Sequence, residues 1–288
     1  MQTLVHSLTL TQVDAMRRAH SGSYIFHGAA GMGKARLAYE LARDLNCQGD
    51  DPVVCTRCRQ IEAGAYPDLI TVKPEDKPSI LIEQIRGLVQ ALSLSLYYRD
   101  GLRVVVIDEA HALTTEAQNA LLKLIEEPPP DTLFILVTDQ LESLLPTVRS
   151  RCVAIYFPPV DQSQLVELLT RQHRLKPSDA TPLAAAAQGV PGDAVMLATE
   201  PNAASARVAL ADTAAALPSQ SLFARLLEAK RLIDAKADLQ RLGQLLHSRL
   251  LQDVPASASA LVAVEVFRRQ LAAKVAPRVA LERLMVEL

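Results

Sequence analysis

The fold is decided by residues 24–35, which read Tyr-Ile-Phe-His-Gly-Ala-Ala-Gly-Met-Gly-Lys-Ala. The first four residues form a short apolar stretch that predicts a strand, and a helical segment begins at Lys34. Glycines between a strand and a helix let backbone N–H groups turn toward phosphate oxygens, and the dipole at the helix N-terminus favours their negative charge. The stretch is therefore typical of a phosphate-binding loop.

This loop lacks one group that ATP hydrolysis requires. Its candidate phosphate contacts are Gly28, Gly31, Gly33 and Lys34. A working site also places a Ser or Thr hydroxyl on Mg²⁺ at the position after the lysine, where this sequence has Ala35. Either the loop is kept as a structural turn, or Gly33 and Lys34 bind nucleotide weakly. In neither case is efficient hydrolysis by this chain expected.

Further apolar stretches predict four more strands, and helical patterns alternate with them. The runs at 104–107 and 133–137 are continuously apolar, which is typical of strands covered on both faces of a parallel sheet. This alternation predicts an α/β, doubly wound domain of the P-loop type over residues 1–158. The strands are Tyr24–His27, Leu69–Val72, Arg103–Ile107, Leu133–Thr138 and Val153–Phe157, and the helices are Lys34–Asn46, Ser79–Leu96 and Thr115–Glu126. Thr115 and Gln118 form a capping-box pattern at the start of the last helix.

The remaining sequence is helical, and strand patterns disappear after Pro158. Predicted helices at Asp161–His173, Ser178–Gln188 and Gly192–Thr199 form a small helical domain over residues 159–203. The Ala- and Leu-rich residues 204–288 predict a helical bundle, which forms a third domain.

Composition limits the classes of protein that this chain can represent. Hydrophobic residues make up 49% of the chain, which is enough for a sizeable core, and 30 basic against 32 acidic side chains give a net charge of −2. That balance argues against a protein that coats nucleic acid through its own field. No apolar run approaches the roughly 20 residues of a membrane span. Four cysteines without an export signal indicate a reducing cytoplasm.

Asp108 and Glu109 follow the strand at Arg103–Ile107 and are the second candidate group. A carboxylate at the end of a buried strand can hold Mg²⁺ through water, and an adjacent Glu can polarise an attacking water. The alternative is that these acids only cap the helix that follows. The sequence leaves both interpretations open.

Several longer motifs make a family resemblance specific. They are Leu45-Asn46-Cys47, Cys55-Thr56-Arg57-Cys58, Pro67-Asp68, the run from Asn119 to Pro129, and Leu145-Pro146-Thr147-Val148-Arg149-Ser150-Arg151-Cys152. Over residues from about 8 to about 200, the chain resembles bacterial clamp-loader subunits of the AAA+ family. It is more similar to their delta-prime type than to the tau/gamma motor type, because Ala35 replaces a hydroxyl and Asp193 stands near the place of a sensor arginine.

The resemblance implies a stationary subunit of a DNA polymerase III clamp loader. In such complexes the arginine of Ser150-Arg151-Cys152 reaches the ATP of a neighbouring motor subunit, and Thr138 stands where the family has a polar group that senses the γ-phosphate. The implied partners are tau/gamma and delta subunits, the polymerase holoenzyme, the sliding clamp and, through the complex, primer-template DNA. The alternatives are a divergent ATP-hydrolysing motor subunit and a non-catalytic scaffold module. Thr138 could equally be a cap at the strand end.

The resemblance also implies structural zinc. Cys47, Cys55 and Cys58 match three of the family's four thiols, and Pro52, which cannot bind zinc, stands near the place of the fourth. Asp51 or the adjacent Asp50 could supply an oxygen instead, because carboxylates also bind Zn²⁺. Cys152 belongs to the arginine motif and is expected to be a small buried side chain.

Overall fold

The computed structural model describes residues 4, 7–18, 21–49, 55–75, 77–235, 237–250, 254–272 and 275–288. The chain divides into two compact units, each with its own hydrophobic core. Unit 1 consists of residues 1–168 and 189–193, and unit 2 consists of residues 169–188 and 194–288. The division into three domains at residues 158 and 203 stays a prediction.

Unit 1 is built on a five-stranded sheet in which every pairing is parallel. The strands lie in the order β2-β3-β4-β1-β5. Strands β3 and β4 are buried along their whole length, as their continuously apolar sequences predict. The predicted strands are therefore confirmed, within two residues at each end. They are β1 Gly22–His27, β2 Leu69–Val72, β3 Arg103–Ile107, β4 Thr132–Thr138 and β5 Val153–Tyr156.

Of the three helices predicted in this part of unit 1, α2 and α5 are confirmed and α4 differs at both ends, whereas α1, α3 and α6 were not predicted. Ile80 pairs with Leu113 as an isolated bridge, so the helix begins only at Ile82. At the other end the hydroxyl of Ser93 donates to the carbonyl of Gln90, and the helix stops at Leu92. The helices are α1 Ser7–Arg17, α2 Lys34–Asn46, α3 Thr56–Glu62, α4 Ile82–Leu92, α5 Thr115–Glu126 and α6 Pro146–Arg149.

The described residues after Tyr156 form helices and their connections and contain no strand. The core of unit 2 is formed by leucines and alanines of α10 to α14, together with Phe267 and Met285. None of the helices in the described part of the chain is both long enough and apolar enough to cross a membrane. These helices are α7 Gln162–His173, α8 Pro177–Ala187, α9 Pro191–Thr199, α10 Pro201–Ala216, α11 Leu222–Asp234, α12 Leu239–Leu250, α13 Val254–Ala272 and α14 Pro277–Glu287.

Candidate functional site

An open cleft of about 450 Å³ lies at the carboxyl ends of β3 and β4, beside the glycine-rich loop. Ligand sites of parallel α/β sheets commonly lie outside the carboxyl ends of the strands. The cleft brings together most of the residues that the sequence suggested for nucleotide contact. It is lined by Ala30, Gly31, Met32, Gly33, Lys34, Ala35, Arg36, Asp108, Glu109, His111, Val137, Thr138 and Asp139.

The glycine-rich loop is shaped by left-handed backbone angles and by a close neighbour. Gly31 and Gly33 have φ values of 79° and 78°, a region that side chains other than glycine rarely adopt. The N–H of Gly192 donates to the carbonyl of Gly31 at 2.9 Å, and a Cβ on Gly192 would lie 2.8 Å from that oxygen. The segment 189–193 therefore packs directly against the loop.

Lys34 turns back onto the loop instead of reaching into open space. Its Nζ donates to the carbonyl oxygens of Gly28 and Ala29 at 2.7 and 2.6 Å. Burial lowers the pKa of Lys34, while the carboxylates of Asp139 and Asp108 raise it. Gly28 thus contacts the lysine but is not among the residues that line the cleft.

The acidic side of the cleft is formed at the ends of two adjacent strands. Asp108 accepts a hydrogen bond from the N–H of Glu109 at 3.0 Å, and Glu109 has the unusual φ of 52°. Thr138 Oγ1 accepts from the N–H of Gln140 at 3.0 Å, so its hydroxyl caps a turn and also lines the cleft. Thr138 is the one hydroxyl among the described lining residues, because position 35 is Ala.

Two cleft residues were not predicted from the sequence. Asp139 lies with its Oδ1 3.0 Å from Nδ1 of His111, and Arg36 lines the cleft beside Ala35. The signal for Asp139 was available, because it directly follows β4 at the same edge of the sheet as Asp108. His27 ends β1, and burial followed by the charge of Lys34 lowers its pKa.

Arg151 lies at the other edge of the sheet. It precedes β5, so it sits at the amino ends of the parallel strands, whereas the cleft lies at their carboxyl ends. Its Nε donates to Oε2 of Glu126 at 2.8 Å, and its NH1 donates to the carbonyl of Thr147 at 3.2 Å. The hydrogen bond and charge of Arg151 lower the pKa of Glu126. The structure thus separates Arg151 from the other candidate residues.

The thiols of Cys47, Cys55 and Cys58 form a cluster in which all three sulfurs lie within 4.8 Å of one another. Cys55 precedes α3, and the backbone N–H of Gln48 is the main cause that lowers its pKa to about 6. Burial raises the pKa of Cys58 to about 12. Thiolates bind metals, so this cluster could hold a metal ion.

The remaining metal candidate, Asp51, lies outside the described residues, as do Asp50 and Pro52. Cys152 lies apart from the described thiol cluster and packs beside the core of unit 1. Burial raises the pKa of its thiol to about 12.

The family model described as "DNA polymerase III, delta subunit" matches residues 5–161. The DNA polymerase III subunit delta' of Pseudomonas aeruginosa is 36% identical over 57% of this chain and 51% of its own length. That of Bacillus subtilis is 35% identical over 60% of this chain and 52% of its own length. The subunit tau of Escherichia coli is 34% identical over 67% of this chain and 31% of its own length. The chain thus spans about half the length of the delta' relatives it matches.

Among solved structures, a DNA polymerase III gamma subunit-related protein from Thermotoga maritima superposes with a TM-score of 0.51 at 18% identity, over 97% of this chain and 98% of its own. At that identity the likeness shows a shared fold, the AAA+ P-loop type. The family model covers more than half of this chain. The chain therefore belongs to the DNA polymerase III delta subunit family.

Proposed function

We propose that this chain acts as the delta-prime subunit of a DNA polymerase III clamp loader. In this role it is a stationary subunit that places Arg151 in the ATP site of a neighbouring tau/gamma-type motor while the complex loads a sliding clamp onto primed DNA. The observation that carries the proposal is the location of Arg151 at the sheet edge opposite the chain's own cleft.

The geometry of the parallel sheet supports a role of Arg151 in the ATP site of another subunit. All five strands run in the same direction, so residues that precede a strand and residues that follow one lie at opposite ends of the sheet. Arg151 precedes β5, and Asp108 and Thr138 follow or end strands at the cleft. A guanidinium at the far edge is poorly placed for this chain's own cleft, and its 35% exposed side chain is accessible to a neighbour.

The state of the cleft supports a chain that does not hydrolyse ATP. Ala35 offers no oxygen to Mg²⁺, and Nζ of Lys34 is held by two loop carbonyls. The neighbouring segment packs on the loop through the hydrogen bond between Gly192 and Gly31. For Lys34 to contact a phosphate, its Nζ would have to leave the carbonyls of Gly28 and Ala29.

The expected partners of this chain are inferred from the relatives that match it. Relatives named DNA polymerase III subunit delta', tau and gamma match the chain, so we expect it to assemble with tau/gamma and delta subunits of the holoenzyme. DNA contact is then shared among subunits, which accords with a net charge of −2. We expect the assembly to work in the bacterial cytoplasm, where the chromosome is replicated.

The decisive experiment is Arg151→Ala in a complex reconstituted with the tau/gamma-type and delta subunits of the same organism. A guanidinium supplied in trans contributes about 10³-fold or more to phosphoryl transfer, so we expect the ATPase site beside this chain to lose about that factor. Single-turnover hydrolysis with clamp and primed DNA measures it. The matched control is Arg149→Ala, since Arg149 lies on the same turn and pairs with Glu142 at 2.7 Å. Full activity of Arg151→Ala would leave only the scaffold role.

A specific observation favours one alternative, a divergent motor subunit with its own nucleotide site. Lys34, Asp108 and Glu109 still share one cleft. This alternative predicts that the purified chain binds Mg-ATP and hydrolyses it unaided. Measurable turnover by the isolated chain would refute the stationary role.

We further propose that the thiol cluster holds a structural zinc ion. Tetrahedral zinc with Zn–S distances of about 2.3 Å places its thiolates about 3.8 Å apart, and the sulfurs of Cys47, Cys55 and Cys58 lie within 4.8 Å of one another. Three soft sulfur donors suit Zn²⁺. Bound there, zinc would cross-link the end of α2 to the start of α3. A carboxylate such as Asp51 or a water would complete the four ligands.

A further inference from the structure

We propose that Glu126 is a positioning residue for Arg151, which it holds so that the outer edge of the guanidinium faces a phosphate group of the neighbouring subunit. This inference rests on the function proposed above. It assigns a second residue of this chain, besides Arg151, a role in ATP hydrolysis by the neighbouring subunit. The size of that role can be measured as a change in the hydrolysis rate.

The contacts of Arg151 leave one edge of its guanidinium open. Arginine carries five N–H donors in a planar fork. The Nε donor is taken by Oε2 of Glu126 at 2.8 Å, and one NH1 donor is taken by the carbonyl of Thr147 at 3.2 Å. The second NH1 donor and both NH2 donors remain for a ligand. That edge is the one that binds two phosphate oxygens at once.

Glu126 itself stands on a fixed part of the fold. It is the last residue of α5, and the carbonyl of the preceding Ile125 accepts a buried hydrogen bond from Ser23 Oγ at 2.9 Å. Ser23 lies at the amino end of β1, an inner strand that pairs with β4 and β5. The end of α5 is therefore anchored to the sheet. The hydrogen bond from Arg151 to Glu126 in turn fixes the guanidinium relative to the end of α5.

The physical gain lies in orientation more than in stability. An exposed ion pair such as this one contributes little to folding stability. A long arginine side chain loses rotamer freedom when it binds, and holding it beforehand removes part of that cost. Because displacement of a catalytic group by about 1 Å can cost up to 10²-fold in rate, loss of Glu126 should slow hydrolysis without preventing assembly.

The test compares Glu126→Ala, Glu126→Gln and Arg151→Ala in the reconstituted complex. We expect Glu126→Ala to lower kcat about tenfold at unchanged KM for ATP. Glu126→Gln should stay within about threefold of wild type, because the amide oxygen still accepts from Nε. Glu142→Ala is the matched control, since Glu142 pairs with neighbouring Arg149 at 2.7 Å, and it should leave kcat unchanged. The double variant Glu126→Ala/Arg151→Ala should be no slower than Arg151→Ala alone, because Glu126 acts through Arg151.

A second readout needs no partner. In ¹⁵N spectra of the full chain, the Nε–H of Arg151, assigned by its loss in Arg151→Lys, should exchange with solvent faster in Glu126→Ala than in wild type. Unchanged exchange, or unchanged kcat for Glu126→Ala while Arg151→Ala is slow, overturns the role of Glu126 and leaves the proposed function standing. Further slowing in the double variant also overturns it. Full activity of Arg151→Ala refutes the proposed function itself.

Discussion

Asn46 shows how much one buried side chain can connect. Its Oδ1 accepts hydrogen bonds from the N–H of Leu102 at 2.8 Å and from the hydroxyl of Tyr66 at 3.0 Å. Its Nδ2 donates to the carbonyls of Leu102 and Ala42. A single amide thus joins the end of α2 to the residues before β2 and β3, and no water is needed to satisfy these groups.

We expect Asn46→Ala to lower the free energy of unfolding by about 2–4 kcal/mol, because it leaves buried groups of Leu102 and Tyr66 without their partner. Urea denaturation measures the loss. Gln48→Ala is the control, since Gln48 is exposed, and it should change stability by no more than about 0.5 kcal/mol. A loss below about 1 kcal/mol for Asn46→Ala would contradict the role of this network.

At the residue scale, sequence reasoning finds chemistry more easily than long-range structure. Asp108 and Thr138 could be placed at one edge, because each lies at the end of an apolar strand run. Asn46 and Glu126 were recognised only as parts of motifs. Their roles depend on partners 56 and 25 residues away, Leu102 and Arg151, and no local pattern encodes those contacts.

At the scale of elements, the start of α5 shows where a local pattern misleads. The sequence predicts a capping box between Thr115 and Gln118, but the N-cap is Thr114, whose side chain accepts from the N–H of Ala117 at 3.3 Å. Gln118 instead accepts from the N–H of Leu145 at 2.7 Å and donates to the carbonyl of Ser143. The buried glutamine also donates to the carbonyl of Leu113, so it links the neighbouring turn to the start of α5 without accepting from the N–H of the N-cap residue, as a capping box requires.

This arrangement predicts different costs for two adjacent threonines. Thr114→Ala should lower the free energy of unfolding by about 1 kcal/mol, the usual cost of losing an N-cap side chain. Thr115→Ala should be neutral or slightly stabilising, because Thr115 lies in the first helical turn, where Ala is the better helix former. Chemical denaturation of both variants decides the matter. Equal losses of unfolding free energy, or a larger loss for Thr115→Ala, would support the predicted capping box instead.

The types of the elements were predictable because burial in a parallel sheet requires continuous apolar strands, and those runs are visible in the sequence. The ends of α4 could not be predicted in this way. Its start is set by the pairing of Ile80 with Leu113, and its predicted end at Leu96 is shortened by a loop whose N–H groups at Tyr97 and Tyr98 bind the buried carboxylate of Asp68. These two contacts join residues that lie far apart in the sequence, and they act together with the local bonds of Gln84 to the N–H of Leu81 and of Ser93 to the carbonyl of Gln90.

At the scale of the whole molecule, the two units have separate hydrophobic cores. The thiol cluster belongs to unit 1 and lies between α2 and α3, whereas the core of unit 2 is built from α10 to α14. A metal that binds only the native cluster stabilises only the unit that carries it, because ligand binding adds RT ln(1 + [L]/Kd) to the stability of that folded unit.

We therefore expect scanning calorimetry of the zinc-loaded chain to resolve two transitions, of which a chelator lowers only the one that belongs to unit 1. Metal analysis should give one zinc per chain, lost in Cys47→Ser and Cys58→Ser because a thiolate ligand is removed from each. Those variants are also the control, since chelator should not move their transitions. Cys152→Ser should keep its zinc, because Cys152 lies outside the thiol cluster. Zinc retained by Cys58→Ser, or a chelator shift confined to unit 2, would exclude a structural metal at this cluster.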